Sequence, residues 1–311
     1  MARIILLIFT SLAVIEFAKS KTIEELFPSV INNSTLVTWK LIKNNTELIA
    51  AANDSKVMML KANVYIKADG NVPSIENTTD KGDLKLDDFL KKVEEKQKGA
   101  KLYFKTNDIF NKSIAIVKAY DTKLVGQVWI HADVFKGPFK PADVLPEVVD
   151  PTKLIEKLNG ASNFVISLGW TSIEGNIDKT YGDIKYTPEM FDKMLEQINK
   201  IKTNNMTNVI ISVRAALAVN DIEVIKTFMK KNTDLKLTIW SKDGDFVNEE
   251  KLSQLILDIG VNKVYLDIPK TLMDKLKFIS VPNAAPSSFS SNIVFTFMSS
   301  ILSFLFVIRM L

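Results

Sequence analysis

His131 and Asp133 stand two residues apart in Val128-Trp129-Ile130-His131-Ala132-Asp133, a spacing that puts both side chains on one face of a β-strand. A carboxylate so placed can orient an imidazole for general acid-base work. His131 is the single histidine of the 311-residue chain, and there is no cysteine. No serine with the surroundings of an activated nucleophile accompanies the pair. A histidine between Ile130 and Ala132 on a strand is more often a satisfied core or rim residue than a catalyst. Asp133 and Asp267 could also form the carboxylate pair of a glycosidase. The alternative for both is a salt bridge with Lys61, Lys105 or Arg214.

The elements that must hold these residues are legible as eight apolar runs. They cover Leu36–Trp39, Val57–Ile66, Ala100–Phe104, Gln127–Ala132, Phe164–Leu168, Val209–Val213, Leu235–Trp240 and Val264–Ile268. Between most of them lies a segment with helical spacing, such as Leu86, Phe89, Leu90 and Val93. Asp150 and Thr187, each followed by proline, read as helix N-caps, and Asn220 with Glu223 as a capping box. Strands alternating with helices point to parallel pairing with crossover helices. Eight such units in one uninterrupted stretch give a (β/α)8 TIM-type barrel over residues 21–280, with a doubly wound open sheet as the alternative. In such barrels the chemistry gathers at the C-terminal ends of the strands.

Those ends carry Leu41 and Asn44, then Lys61 and Asn63, Asn77 in the following loop, Tyr103 and Lys105, His131 and Asp133, Trp170, Arg214, Trp240 and Asp267. A hard divalent cation needs several oxygen ligands converging on one point. An amine, amides and a phenol at the second and third strands do not supply them, so no metal or cofactor is expected. Lys61 could instead neutralise Asp133 or Asp267 directly.

Residues 1–20 combine Arg3, an apolar run from Ile4 to Phe17 and Ala18-Lys19-Ser20, the form of a cleavable signal peptide. Residues 281–311 run from small residues through a polar spacer to an apolar tail from Ile293, the form of a glycolipid-anchor signal with Asn283 as attachment site. An ordinary membrane helix is the alternative. Asn32, Asn33, Asn44, Asn53, Asn77, Asn111 and Asn205 open N-glycosylation sequons, roughly twice the number that composition scatters by chance. The net charge of +4 lies partly in these terminal segments, and no basic run suits nucleic acid. The expected place is the extracellular face of the plasma membrane.

Seven segments, Leu36-Val37-Thr38-Trp39, Lys101-Leu102-Tyr103-Phe104-Lys105, Val128 to Asp133, Ser167-Leu168-Gly169-Trp170-Thr171, Val213-Arg214-Ala215, Leu237-Thr238-Ile239-Trp240 and Val264 to Pro269, together resemble the menorin family of extracellular proteins, in order over about residues 36–278. The resemblance implies a barrel related to glycerophosphodiester phosphodiesterases. It also marks departures. Leu41 stands where the family has histidine, Lys61-Ala62-Asn63 where it has Glu-Ala-Asp, Asn77 where it has a second histidine, and Tyr103 where it has an acidic residue. Asn44, Lys105, Trp170, Arg214, Trp240 and Asp267 match the pattern, and glycans on Asn44 or Asn77 would obstruct the mouth.

The reading that follows is a binding protein with a degenerate catalytic set. Its partner would be an extracellular or cell-surface receptor, since the resemblance implies roles in neuronal patterning and adhesion. A phosphodiesterase with a site rebuilt from Lys105, His131, Asp133 and Asp267 is the competing expectation. A carrier with an apolar pocket lined by Trp170 and Trp240 is a third.

Overall fold

A computed structural model describes residues 21–67, 72–75, 84–161, 163–204, 206 and 208–277. Nine strands form one sheet: β1 (Trp39–Leu41), β2 (Met59–Ile66), β3 (Pro73–Ile75), β4 (Gly99–Phe104), β5 (Val128–Lys136), β6 (Val165–Thr171), β7 (Val209–Arg214), β8 (Lys236–Trp240) and β9 (Val264–Asp267). Eight of them pair in parallel in the order β1-β2-β4-β5-β6-β7-β8-β9, each reached through at least one helix. This is the expected eight-stranded barrel, nearly closed. β3, absent from the sequence reading, runs antiparallel to the last residues of β2, beyond the point where the short β1 has ended.

The first strand differs from expectation. Leu36–Trp39 does not run as a strand, because Asn33 caps a 3-10 turn over Ser34–Leu36 by accepting from the Thr35 amide at 3.2 Å. The strand begins at Trp39, so Leu41 lies within it rather than after it. That same turn packs against β9, and the Ser34 hydroxyl donates to the Asn262 carbonyl at 2.9 Å, bridging the seam between first and last strands.

Alternation along the strands sorts side chains between the barrel interior and the helix layer. At the N-terminal end of the barrel, Met59, Trp129, Val165, Ile210 and Tyr265 pack with Ile23, Val30 and Val37 into an apolar plug. The short helix Ile23–Leu26 that delivers Ile23 begins in a capping box between Thr22 and Glu25. Glu24 on it accepts from Ser34 at 2.6 Å, Lys236 at 2.5 Å and Tyr265 at 3.0 Å. Those bonds satisfy a carboxylate that burial alone would penalise.

Outside the sheet, the apolar stripe of helix Leu86–Lys96 is fully buried through Leu86, Phe89, Leu90 and Val93. Asp150 caps helix Pro151–Leu158 as its spacing implied, accepting from Thr152 at 2.9 Å. The expected Asn220 cap does not form. Helix Ile222–Lys231 starts after Asp221, and the Asn220 amide is drawn away to the Tyr181 and Ile184 carbonyls.

Candidate functional site at the barrel mouth

A cavity of about 500 Å³ opens at the C-terminal ends of the strands. Lys61 and Asn63 from β2, Lys101 and Tyr103 from β4, His131 and Asp133 from β5, Trp240 from β8 and Asp267 from β9 line it, with Leu41 and Lys105. β2, β4 and β5 each contribute a pair of residues two apart because alternate side chains face inward.

Two polar pairs dominate the wall. Lys61 and Asp267 form an ion pair across the seam from β2 to β9. The Tyr103 hydroxyl donates to Asp133 Oδ2 at 2.7 Å. His131 Nδ1 lies 3.1 Å from both the carbonyl oxygen and the hydroxyl of Ser167. A carbonyl can only accept, so Nδ1 carries the proton and Nε2 presents its lone pair. Nε2 is 3.8 Å from Asp133 Oδ1, an electrostatic neighbour rather than a hydrogen-bond partner.

Burial sets the charge states here. It holds the His131 pKa well below the usual imidazole value, and the Lys101 ammonium acts in the same direction. It pushes the Asp133 carboxyl up to about 6, against the lowering pull of Tyr103, Lys101 and Lys105. Burial also raises the Tyr103 phenol, with Asp133 reinforcing it, so Tyr103 acts as a proton donor in a hydrogen bond and not as an anion. Gly169 makes room for the pair, since a Cβ there would stand 2.4 Å from Asp133 Oδ1 and 3.3 Å from His131 Cε1.

Three anticipated mouth residues lie elsewhere. Trp170 faces outward from β6, 3% exposed, with its ring 5.1 Å from those of Tyr186 and Phe191. A pocket walled by both Trp170 and Trp240 therefore does not exist. Arg214 is fully buried: Nε and Nη2 grip Asp245 at 2.9 and 2.5 Å, and the remaining hydrogens go to Ser172, Ile173 and Gly175. All five donors are used, with its guanidinium 5.1 Å from the Trp240 ring centre, so Arg214 fixes the loops and offers nothing to a ligand. Asn44 does not line the cavity. It is the N-cap of helix Asn45–Asn53, accepting from the Glu47 amide at 2.9 Å.

Asn77, Asn205 and Asn283, and the segments read as signal peptide and anchor, lie outside the described residues. Of the remaining sequons, Asn32, Asn53 and Asn111 are exposed, while Asn33 and Asn44 are half-buried. Among the described residues, no helix is long and apolar enough to cross a membrane.

Several site residues were missed from sequence, among them Glu174 and Lys242 of the cavity wall. Asp245 lies in a loop with no signal beyond its charge, and its role as the Arg214 counter-ion depends on folding. Lys101 had a signal: it stands two before Tyr103 and must share its face.

The donor set does not fit the divalent ion that a phosphodiesterase-type barrel implies. Asp267 is held by Lys61 and Asp133 by Tyr103, and no group of three or more His, Cys, Asp or Glu among the described residues could hold an ion. The arrangement can instead bind polar or anionic groups through ammoniums and exchange a proton between solvent and the Asp133 carboxyl.

Comparison with known proteins agrees with the sequence pattern. The family model for the menorin N-terminal domain matches residues 33–273. The human protein FAM151B is 25% identical over 237 residues, covering 75% of this chain and 82% of that protein. Among solved structures, a putative glycerophosphodiester phosphodiesterase from Galdieria sulphuraria aligns with TM-score 0.44 and 9% identity over 78% of this chain and 98% of its own. An oxaloacetate acetylhydrolase bound to 3,3-difluorooxalacetate aligns with TM-score 0.44 and 8% identity over 80% of each chain. Both likenesses are too distant to bear on chemistry.

Proposed function

As this chain belongs to the menorin family, we propose that it is a secreted, glycolipid-anchored glycoprotein that acts by binding at the cell surface and does not hydrolyse phosphodiesters. The observation that supports this reading is the Lys61–Asp267 ion pair. It occupies Asp267 with an ammonium, whereas hydrolysis of that kind would need carboxylates free to bind a cation. The partner is the extracellular part of a cell-surface protein, in the setting of neuronal patterning or adhesion, met by the loops that follow the strands. The anchor rests on the sequence of residues 281–311, with Asn283 as the attachment site.

Two measurements test the proposal. Purified protein assayed against glycerophosphodiesters and lysophospholipids, with and without Mg²⁺, Ca²⁺ or Mn²⁺, is expected to show no turnover. Expressed on cells, it should be released by phosphatidylinositol-specific phospholipase C. Hydrolysis abolished by Asp133→Asn would instead establish the competing reading, a site rebuilt around Lys105, His131, Asp133 and Asp267, which the shared cavity favours.

A further inference from the structure

We propose that Lys101 captures a small aldehyde or ketone bearing an anionic group, as a reversible imine within the barrel mouth. The inference goes beyond the cell-surface reading and does not depend on it.

Four observations carry it. Lys101 faces the cavity from β4 and is only 5% exposed. The other ammoniums of the wall have partners: Lys61 is paired with Asp267, Lys105 lies 3.8 Å from Glu174, and Lys242 donates to the Glu174 carbonyl. Lys101, among the described residues, has no hydrogen-bond acceptor and no ion-pair carboxylate, and its Nζ rests 5.8 Å from the centre of the Trp39 ring. A buried amine without a counter-ion favours its neutral, nucleophilic form, and burial here brings its pKa down to about 8.

The surroundings suit the reaction. Asp133 and Asp267 are close enough to act on Lys101 electrostatically, and Asp133 lies beside the neutral His131. Lys105 and Lys242 stand on the same wall with a largely exposed Glu174 between them, which suits an anionic substituent on the carbonyl compound.

The step balances without a further reagent. The Nζ lone pair forms a C–N bond to the carbonyl carbon as the C=O π pair moves to oxygen. Nitrogen gives up one proton and the oxygen takes two, one of them from solvent through the Asp133 carboxyl. The C–O bond breaks, water leaves and a protonated C=N bond remains. Hydrolysis reverses each step, so the site captures and releases its ligand.

The test uses the intact protein with glyoxylate and cyanoborohydride over a range of pH, reading the modification of every lysine by peptide mass spectrometry. A pKa near 8 rather than 10.5 gives roughly two orders of magnitude more free amine near pH 7.5. Lys101 is therefore expected to label at least about tenfold faster than the median exposed lysine at that pH, with a half-rise near pH 8. Labelling of Lys101 no faster than that median, or rising only with the other lysines, overturns the proposal. Propanal should lose most of this preference; an equal preference for propanal would overturn the anionic requirement.

Discussion

Lys61 and Asp267, 206 residues apart in sequence, form an ion pair that joins the second strand of the barrel to the last. Among the described residues no backbone ladder joins the first strand to the last, so this pair helps to hold the mouth end together while the Ser34 bridge ties the opposite, N-terminal end.

Replacing the ammonium should therefore cost stability and create no activity. Lys61→Glu would set a second carboxylate against Asp267, and Lys61→Met would leave Asp267 mostly buried and unpaired. A loss of roughly 2–3 kcal/mol is expected, between the values typical of exposed and fully buried pairs. Thermal or urea unfolding measures it, and unchanged stability in both variants would refute the structural role. Added Mg²⁺ should not produce turnover in the Glu variant.

Arg214 and Asp245 make the opposite case, an ion pair wholly out of solvent. Burial raises the Asp245 pKa, but the Arg214 guanidinium and the Ile177 and Lys242 amides overcome it and hold the carboxyl below its usual range. Arg214→Met should destabilise the protein by about 3–5 kcal/mol, because it strands a buried carboxylate. Arg214→Lys should recover little, since one ammonium cannot replace five directed hydrogens. Urea denaturation of both variants checks the order.

His131 gives a test free of assignment ambiguity, as it is the chain's single histidine. Its buried imidazole should remain neutral as the pH falls through the ordinary imidazole value of 6.5, with the proton on Nδ1 directed at the Ser167 carbonyl. Nitrogen NMR on histidine-labelled protein reads tautomer and charge together. A resonance titrating near the ordinary value of 6.5 would contradict the geometry.

Asp133 predicts a pH dependence of stability with a defined sign. Its folded pKa of about 6 lies above the ordinary 3.8, so between those values the folded state binds more protons than the unfolded chain. Its contribution is therefore present below about pH 4 and lost as pH rises to about 6, by roughly 3 kcal/mol at most. His131 acts oppositely: with its folded pKa depressed, stability falls as pH drops below 6.5. The Asp133 part is isolated as the stability of wild type minus that of Asp133→Asn, which should decline from pH 4 to pH 6. A flat difference would sink it.

The barrel was legible because its information is local. Apolar runs of strand length, helical stripes such as Leu86, Phe89, Leu90 and Val93, and the Asp150-Pro151 cap are short-range patterns that burial later enforces. The set facing the mouth was partly legible too, since strand alternation ties His131 to Asp133 and Lys61 to Asn63. Errors arose where neighbours compete locally, as when Asn33 turned the expected start of β1 into a 3-10 turn.

Which charges pair was decided only by the tertiary structure. Nothing in the local sequence says that Lys61 takes Asp267, that Arg214 turns to Asp245, or that the Lys101 ammonium comes to lie over the Trp39 ring. Nor does it say that Trp170 looks outward while Trp240 looks in. Secondary structure depends on neighbours along the chain, whereas ion pairing depends on distances set by closing the barrel, and those bring together residues as far apart as Glu24 and Lys236, 212 positions.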